Sequence, residues 1–260
     1  MNDGLVAFIV VNWLLCEYGR IIMNYYNWNA KWAGNSITEL KDYTEEEILK
    51  LYCYGLSEEK YPLKKDRDNI LKSWIDYFNN TKTNIKKLLV TGIVNQKLLE
   101  AICNQTSLEE LVIFQGNFSD IQCITKLKNL KALSIYASSR VKSLYSIGEI
   151  QNLEVLILSN FTGITDYSPL GKLKNLKQLG IHSSMGNIIK VDSFDFLKSL
   201  KNIKNLHTTG FRLLNGDYSP VLELEKLEFL SVNMPAYDYK IWNDRFAEKF
   251  KDIPQNDHVR

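Results

Sequence analysis

Histidine, cysteine and clustered carboxylates are the side chains of this 260-residue chain best suited to catalysis or metal binding. Two of the three histidines, His182 and His207, occupy neighbouring sequence repeats, with no Cys, Asp or Glu beside them to complete a metal site. No phosphate-binding glycine loop, nucleophile elbow or HExxH motif occurs. We therefore expect no enzyme, no cofactor and no metal, and we interpret the two histidines as polar contact residues.

Composition excludes several other classes of protein. The 32 basic residues are nearly balanced by 30 acidic ones, so the sequence has no electrostatic footprint for nucleic acid. The four cysteines have apolar neighbours and no CxxC spacing; they are Cys16, Cys53, Cys103 and Cys123. Such residues are typical of reduced, buried thiols, which favours a cytoplasmic protein over a disulfide-stapled secreted one.

Residues 4–16 (GLVAFIVVNWLLC) form the most apolar segment of the chain. Asp3 stands where a signal peptide would be basic, and no cleavage site follows. As a helix the segment would span roughly 20 Å, short of the ~30 Å of a bilayer core. We expect a buried helix at the start of the fold, and keep a membrane or interfacial anchor as the alternative.

A motif of about 23 residues recurs along the chain. LKNLKALSIY (127–136) returns as IQNLEVLILS (150–159) and LKNLKQLGIH (173–182), and the same frame extends to both sides. The first apolar residue of each strand serves as the marker of its unit. The markers are Ile85, Leu108, Leu130, Leu153, Leu176, Ile203 and Leu227, at spacings of 23, 22, 23, 23, 27 and 24. One such unit cannot bury its apolar face alone, so stacked units must share a core.

The motif L-x-x-L-x-x-L-x-L resembles the leucine-rich repeat family, and in particular its short internalin-like bacterial class. The resemblance covers residues 84–233 and implies an α/β fold, a solenoid with a curved parallel β-sheet of about seven repeats. The class usually carries an Asn three residues after the last strand leucine, where this chain has Gly116, Ser138, Phe161 and Ser184. We therefore expect the regular Asn ladder to be lost. The extra residues of the 27-residue unit should form a loop near 183–191.

Charges that follow each marker support the alignment. These residues are Lys86, Glu109, Lys131, Glu154, Lys177, Lys204 and Glu228, and their sign alternates at five of six steps. Opposite charges on adjacent strands contribute about 0.2–1 kcal/mol each. The series predicts an ion-pair ladder at a solvated edge that fixes the register of the repeats.

The ends of the solenoid are expected to be covered by helices. We divide the chain into a helical N-terminal capping region (1–82), the repeats (83–236), and a C-terminal cap helix with its tail (237–260). Thr44 and Glu47 form a capping-box pattern that predicts a helix through Leu56. Further helices are predicted at 66–79 and 239–251, the latter with Ile241, Trp242, Phe246 and Phe250 on its apolar face.

Residues between the strand leucines should point to the concave, solvent-facing side of the sheet. They form three almost uncharged columns, which begin at Lys87, Leu89 and Thr91 of the first repeat, and apolar residues cluster at the middle repeats. An exposed apolar patch of this kind is typical of protein interfaces. The predicted contact residues are Val112, Phe114, Tyr136, Val155, Ile157, Gln178, His182, Asn205, His207 and Phe229. The alternative is that the chain itself covers part of this face, through its N-terminal region or a loop.

These observations favour an intracellular module that binds one partner protein, without membrane or nucleic acid. A sharper form of this hypothesis is an immunity-like protein that inhibits or neutralises its partner. The alternative is a membrane- or surface-attached adhesion protein that uses residues 4–16 as its anchor.

Overall fold

A computed structural model describes residues 36–136, 138–183 and 187–253 of the chain. The segment 4–16, whether buried helix or anchor, lies outside the described residues. Within them, a parallel sheet of eight strands runs in the order β1-β2-β3-β4-β5-β6-β8-β10. Its strands are β1 Ile48–Leu51, β2 Lys87–Asn95, β3 Glu110–Asn117, β4 Ala132–Ile135, β5 Val155–Ser159, β6 Gln178–His182, β8 Asn205–Thr209 and β10 Phe229–Val232. The predicted α/β solenoid is confirmed.

Strand leucines form the main core. Leu133 of β4 pairs in register with Leu156 of β5, which pairs with Leu179 of β6, and all three are buried. The short return segments close this core from the other side as the helices α3, Tyr145–Gly148, and α4, Ser219–Leu222, and as 3-10 turns such as Gln122–Lys126. Each repeat thus covers its apolar edge with the next repeat, as the periodicity predicts.

The predicted helix from Thr44 to Leu56 is wrong. Residues Ile48–Leu51 form the edge strand β1, which pairs in parallel with β2 from Ile48↔Lys87 to Leu51↔Val90. The Thr44 hydroxyl bonds to the Glu46 carboxylate instead of capping a helix. Leu49 and Leu51 alternate with more exposed neighbours, so two-residue periodicity and the backbone bonds offered by β2 override the local capping signal.

The other two predicted helices are observed with slightly different bounds. Helix α1, Lys64–Asn80, buries Ile70, Trp74 and Phe78, and the Trp74 indole donates to the carbonyl of Thr38 at 2.8 Å. Helix α5, Ala236–Lys249, buries Trp242 and Phe246, with Phe250 just beyond its end. Ile241, predicted on the same face, is 42% exposed because the buried positions follow the i, i+4, i+8 row.

The long repeat adds a second, two-stranded sheet instead of only a loop. Strand β7, Ile189–Val191, pairs in parallel with β9, Phe211–Leu213, of the next repeat. Ile189 and Val191 are buried, and Phe211 stacks on Phe194 with ring centroids 5.4 Å apart. The expectation of a bulging loop at 183–191 is therefore wrong for its last three residues, because their alternating apolar side chains have a partner strand.

The structure also contains an asparagine ladder at a position that the sequence comparison overlooked. An Asn just before four of the seven markers donates its amide to a carbonyl of the preceding repeat: Asn129 to Thr106, Asn152 to Lys128, Asn175 to Gln151, and Asn202 to Lys174, at 2.8–3.0 Å. The sequence signal for this ladder was the Asn that recurs within the repeated motif, as in LKNL. The ladder of the family pattern is lost, and this one ties the same repeats together at the opposite end of the strands.

We expect the variant Asn152→Ala to lower the free energy of unfolding by about 1 kcal/mol, because it deletes one amide–carbonyl hydrogen bond near the surface. Urea unfolding monitored by circular dichroism measures the change. Asn243→Ala, in α5, is the control, since the Asn243 side chain is partly exposed and lies outside the ladder. Equal stability of Asn152→Ala and the wild type would show that this hydrogen bond of the ladder does not stabilise the fold.

Candidate functional site

The first two predicted columns of the concave face follow the observed register throughout, and the third follows it from Ser159 to His182 and Thr209. In the first column Ala132 pairs with Val155, Val155 with Gln178, and Gln178 with Asn205. In the second column Val112 pairs with Ser134, and Ser134 with Ile157. Strand β1 adds Ile48 and Lys50 to these columns, which the sequence analysis missed together with the strand.

The charge ladder lies one residue before these columns and is also observed. Lys131 contacts Glu109 with Nζ 2.7 Å from Oε2, and Lys177 contacts Glu154 at 2.8 Å. The ladder extends beyond the prediction, because Lys86 pairs at 2.8 Å with Glu47, the residue that precedes β1. The hydrogen bond from Lys131 holds the pKa of the Glu109 carboxyl below its usual value. Alternating charge thus borders the concave face along one side.

The expectation that the concave face is exposed to solvent is wrong for most of its residues. Val112, Val155 and Ile157 are 2%, 4% and 5% exposed, and His182, His207 and Phe229 are also buried. Phe114, Tyr136, Gln178 and Asn205 are partly exposed. Lateral packing at the ~4.8 Å spacing of parallel strands shields the small and branched side chains, while the longer ones keep exposed tips. Coverage by the N-terminal residues 1–35 would fall outside the described residues.

Apolar side chains on this face form two small clusters separate from the main core. Leu89 and Val112 pack with Phe114 and Tyr136. Ala132, Val155 and Ile157 form the second cluster, which Tyr136 also contacts. The rings of Phe114 and Tyr136 stack with centroids 5.4 Å apart and an interplanar angle of 13°. Burial raises the pKa of the Tyr136 hydroxyl, so that group stays neutral at any physiological pH.

One ion pair crosses the face at its N-terminal end. Lys87 Nζ lies 2.8 Å from Glu110 Oε1, on neighbouring strands of the first column. The Glu110 side chain is only 9% exposed, so its charge is compensated within the sheet. The middle of the face therefore consists of partly exposed aromatic rings and buried aliphatic groups, and its far end contains the buried histidine pair.

His182 and His207 contact each other more closely than expected. A diagonal separation of ~7–8 Å follows from the ideal sheet, yet their ring centroids lie 4.7 Å apart. Gly180, opposite His207, leaves room for this contact: a Cβ at Gly180 would lie 2.6 Å from Nε2 of His182. His182 Nδ1 is 3.3 Å from the Thr209 hydroxyl. Burial, reinforced by His207, holds the pKa of His182 well below its usual value.

The described residues contain no group of three or more His, Cys, Asp or Glu side chains able to hold a metal ion. The histidine pair therefore has no third ligand in this part of the molecule. The same described ranges include no helix long and apolar enough to cross a membrane.

Comparison with solved structures shows the leucine-rich repeat fold. An internalin C2 from Listeria monocytogenes matches with a TM-score of 0.52 and 18% identity over 71% of this chain and 80% of its own. An internalin (inlF) from the same species matches with a TM-score of 0.50 and 16% identity, over 66% of this chain and 53% of its own. A leucine-rich repeat protein of Leptospira interrogans gives 0.50 and 17%, over 66% and 46%.

The chain thus spans about half the length of two of these structures. No model of a known protein family matches the sequence, and no curated protein matches it. At 16–18% identity the likeness concerns the fold. It confirms the internalin-like, leucine-rich repeat architecture that the repeats predict.

The buried histidine pair predicts a pH-dependent stability. Because the folded state holds His182 neutral, the unfolded state binds more protons as the pH falls from 7 to 5. The free energy of unfolding therefore decreases through the ordinary histidine pKa of ~6.5, by at most about 1.4 kcal/mol per pH unit for one group. Urea midpoints at pH 7, 6 and 5 measure this slope.

In the variant His182→Gln the slope should shrink, since glutamine does not titrate. Asn205→Gln, on the same face, is the control and should keep the slope of the wild type. An unchanged slope in His182→Gln would assign the acid sensitivity to other groups.

Proposed function

We propose that this chain is a protein-interaction module that binds one partner protein through its concave face. The stacked pair Phe114–Tyr136, partly exposed and packed against a buried apolar layer, carries the proposal. Aromatic side chains that rest on a packed apolar base are typical hot spots of protein interfaces. Gln178 and Asn205, both partly exposed, supply amide groups in the first column beyond the aromatic pair.

The charge distribution supports a protein partner over nucleic acid. Basic residues beside the concave face alternate with acidic ones and pair with them, as in Lys131–Glu109 and Lys177–Glu154. The sheet therefore presents no continuous basic stripe along its edge, which phosphate binding would need. The apolar middle of the face suits a partner that offers an apolar patch of its own.

We further propose a cytoplasmic location, with binding that inhibits or neutralises the partner in the manner of an immunity protein. The free thiols of Cys53, Cys103 and Cys123 support the location, since oxidising compartments favour disulfides between such residues. Adding the purified chain to an activity assay of the captured partner tests the inhibitory form. A chain recovered in the membrane fraction would instead favour anchoring through residues 4–16.

We expect Phe114→Ala and Tyr136→Ala each to weaken binding by at least ~10-fold, about 1.4 kcal/mol, because truncation removes one half of the stacked pair. The tagged full-length chain serves as bait in a lysate of the source cells, and the captured partner is then titrated against each variant by calorimetry. Ile157→Ala, in the cluster that Tyr136 also contacts, should weaken binding as well.

Tyr145→Ala is the matched control. Tyr145 is an aromatic residue 59% exposed, but it lies in α3 on the return side of the repeats. Partner capture that survives Phe114→Ala and Tyr136→Ala while failing in Tyr145→Ala would move the interface to the convex side. Circular dichroism of each variant verifies that the fold is kept.

A further inference from the structure

Cys103 and Cys123 lie side by side in consecutive repeats, although 20 residues separate them in sequence. Cys103 is the C-terminal cap of helix α2, Gln96–Ile102, and Cys123 lies in the 3-10 turn Gln122–Lys126. This helix and this turn are the return segments of adjacent units, so stacking brings their inward-facing side chains together. The contact is a product of the solenoid and has no local sequence signature.

The two sulfur atoms are 2.8 Å apart, and the Cys103 thiol donates toward the Cys123 sulfur. A disulfide needs about 2.05 Å, so bond formation requires a shift of under ~1 Å. Cys103 is fully buried, whereas Cys123 is partly exposed and accessible to a small oxidant. Because only Cys123 is accessible, an oxidant would reach Cys123 first. Cys103, in contact with it, is placed to react with the oxidised sulfur.

The surroundings of the sulfur atoms support the same division. The hydrogen bond from Cys103, with a smaller contribution from the charge of Lys126, lowers the pKa of Cys123 against the opposing effects of burial and of the nearby carboxylates Glu100 and Asp120. The same bond, with burial, raises the pKa of Cys103. Cys53 provides a contrast within the molecule, since burial raises its pKa to about 12. Thiolates are the nucleophilic form of cysteine, so Cys123 is the more reactive thiol of the three.

We propose that Cys103 and Cys123 form a redox-active pair that peroxide converts into an intramolecular disulfide between adjacent repeats. The Cys123 thiolate attacks one oxygen of hydrogen peroxide, the O–O bond breaks, and the released hydroxide takes a proton to become water. Cys103 then attacks the sulfur of the Cys123 sulfenic acid, the S–O bond breaks, and a second water leaves with the Cys103 proton. Two thiols are oxidised and one peroxide is reduced.

The bond would close a loop that contains the whole of strand β3, Glu110–Asn117. Val112 and Phe114 of the concave face belong to this strand. Oxidation would therefore covalently join the two return segments on either side of the strand that carries Phe114. A reductant such as a small thiol reverses the bond by exchange, which makes the pair a reversible site.

The test uses the reduced full-length chain, treated with hydrogen peroxide at equimolar and tenfold ratios and then alkylated. Trypsin cleaves after Lys97 and Lys126, so one peptide, residues 98–126, contains both cysteines. The expected product is this peptide without alkylation and two hydrogens lighter, restored to the doubly alkylated form by prior reduction. The oxidised chain should also melt about 5 °C higher, because the closed loop restricts the unfolded state.

Single variants separate the two roles. In Cys103→Ser the oxidised chain should carry a sulfenic acid on Cys123, trapped by dimedone, and no change of melting temperature. Cys53→Ser is the control and should form the 103–123 bond at the wild-type rate. If Cys103→Ser fails to fold, the wild-type peptide map remains decisive.

Three results would overturn the proposal. One is a peptide 98–126 in which Cys123 carries two or three oxygens while Cys103 is alkylated. Another is a disulfide that links Cys16 or Cys53 to either residue, or that links two chains. The last is oxidation of Cys53 at least as fast as that of Cys123, which would show that the contact confers no reactivity.

Discussion

A single repeated hydrogen-bond arrangement sets the register of the whole sheet. The carbonyl of the residue that precedes one strand accepts two backbone N–H groups from the next repeat: Lys86 O from Glu109 and Glu110, Glu109 O from Lys131 and Ala132, and so on to Lys204 O from Glu228 and Phe229. The same arrangement joins Glu47 O to Lys86 and Lys87, which makes β1 part of the sheet. Because side chains alternate along a strand, a slip of one residue would turn every leucine outward. Core, charge ladder and concave columns all follow from this one bond pattern.

The sequence predicted those features that repeat with the period of the fold. The leucine markers, the alternating Lys and Glu, and the composition of the three columns needed only the correct alignment, and the strand pairs confirm that alignment. Features that depend on contacts between non-repeating segments were missed. Strand β1 follows Thr44 and an acidic run, a local helix signal, and only the open edge of β2 makes it a strand. The Cys103–Cys123 contact likewise arises from stacking, which residue spacing does not display.

For the candidate site, the sequence predicted the position of the residues but not their exposure. The sequence pattern predicted which side chains share the concave face. Their exposure, however, depends on how side chains of neighbouring strands pack together. Val112 and Ile157 are buried by their neighbours, so they support the interface more than they present it. The stacked rings of Phe114 and Tyr136 were adjacent in the predicted columns, but their parallel arrangement is a property of the folded sheet. The closeness of His182 and His207 depends on the missing side chain at Gly180.

The small sheet of β7 and β9 has a consequence for how this chain can change over generations. Repeats of 22–23 residues are interchangeable units, so recombination can duplicate or delete one and leave both flanking surfaces complementary. Residues 189–213 do not allow this, since Ile189–Val191 and Phe211–Leu213 belong to different repeats and pair only with each other. Deletion of either repeat would leave the short strand of the other repeat with unpaired backbone groups and exposed apolar side chains. Loss or duplication of one of these two repeats alone should therefore destabilise the fold, and changes of length should be tolerated better in the regular repeats before them.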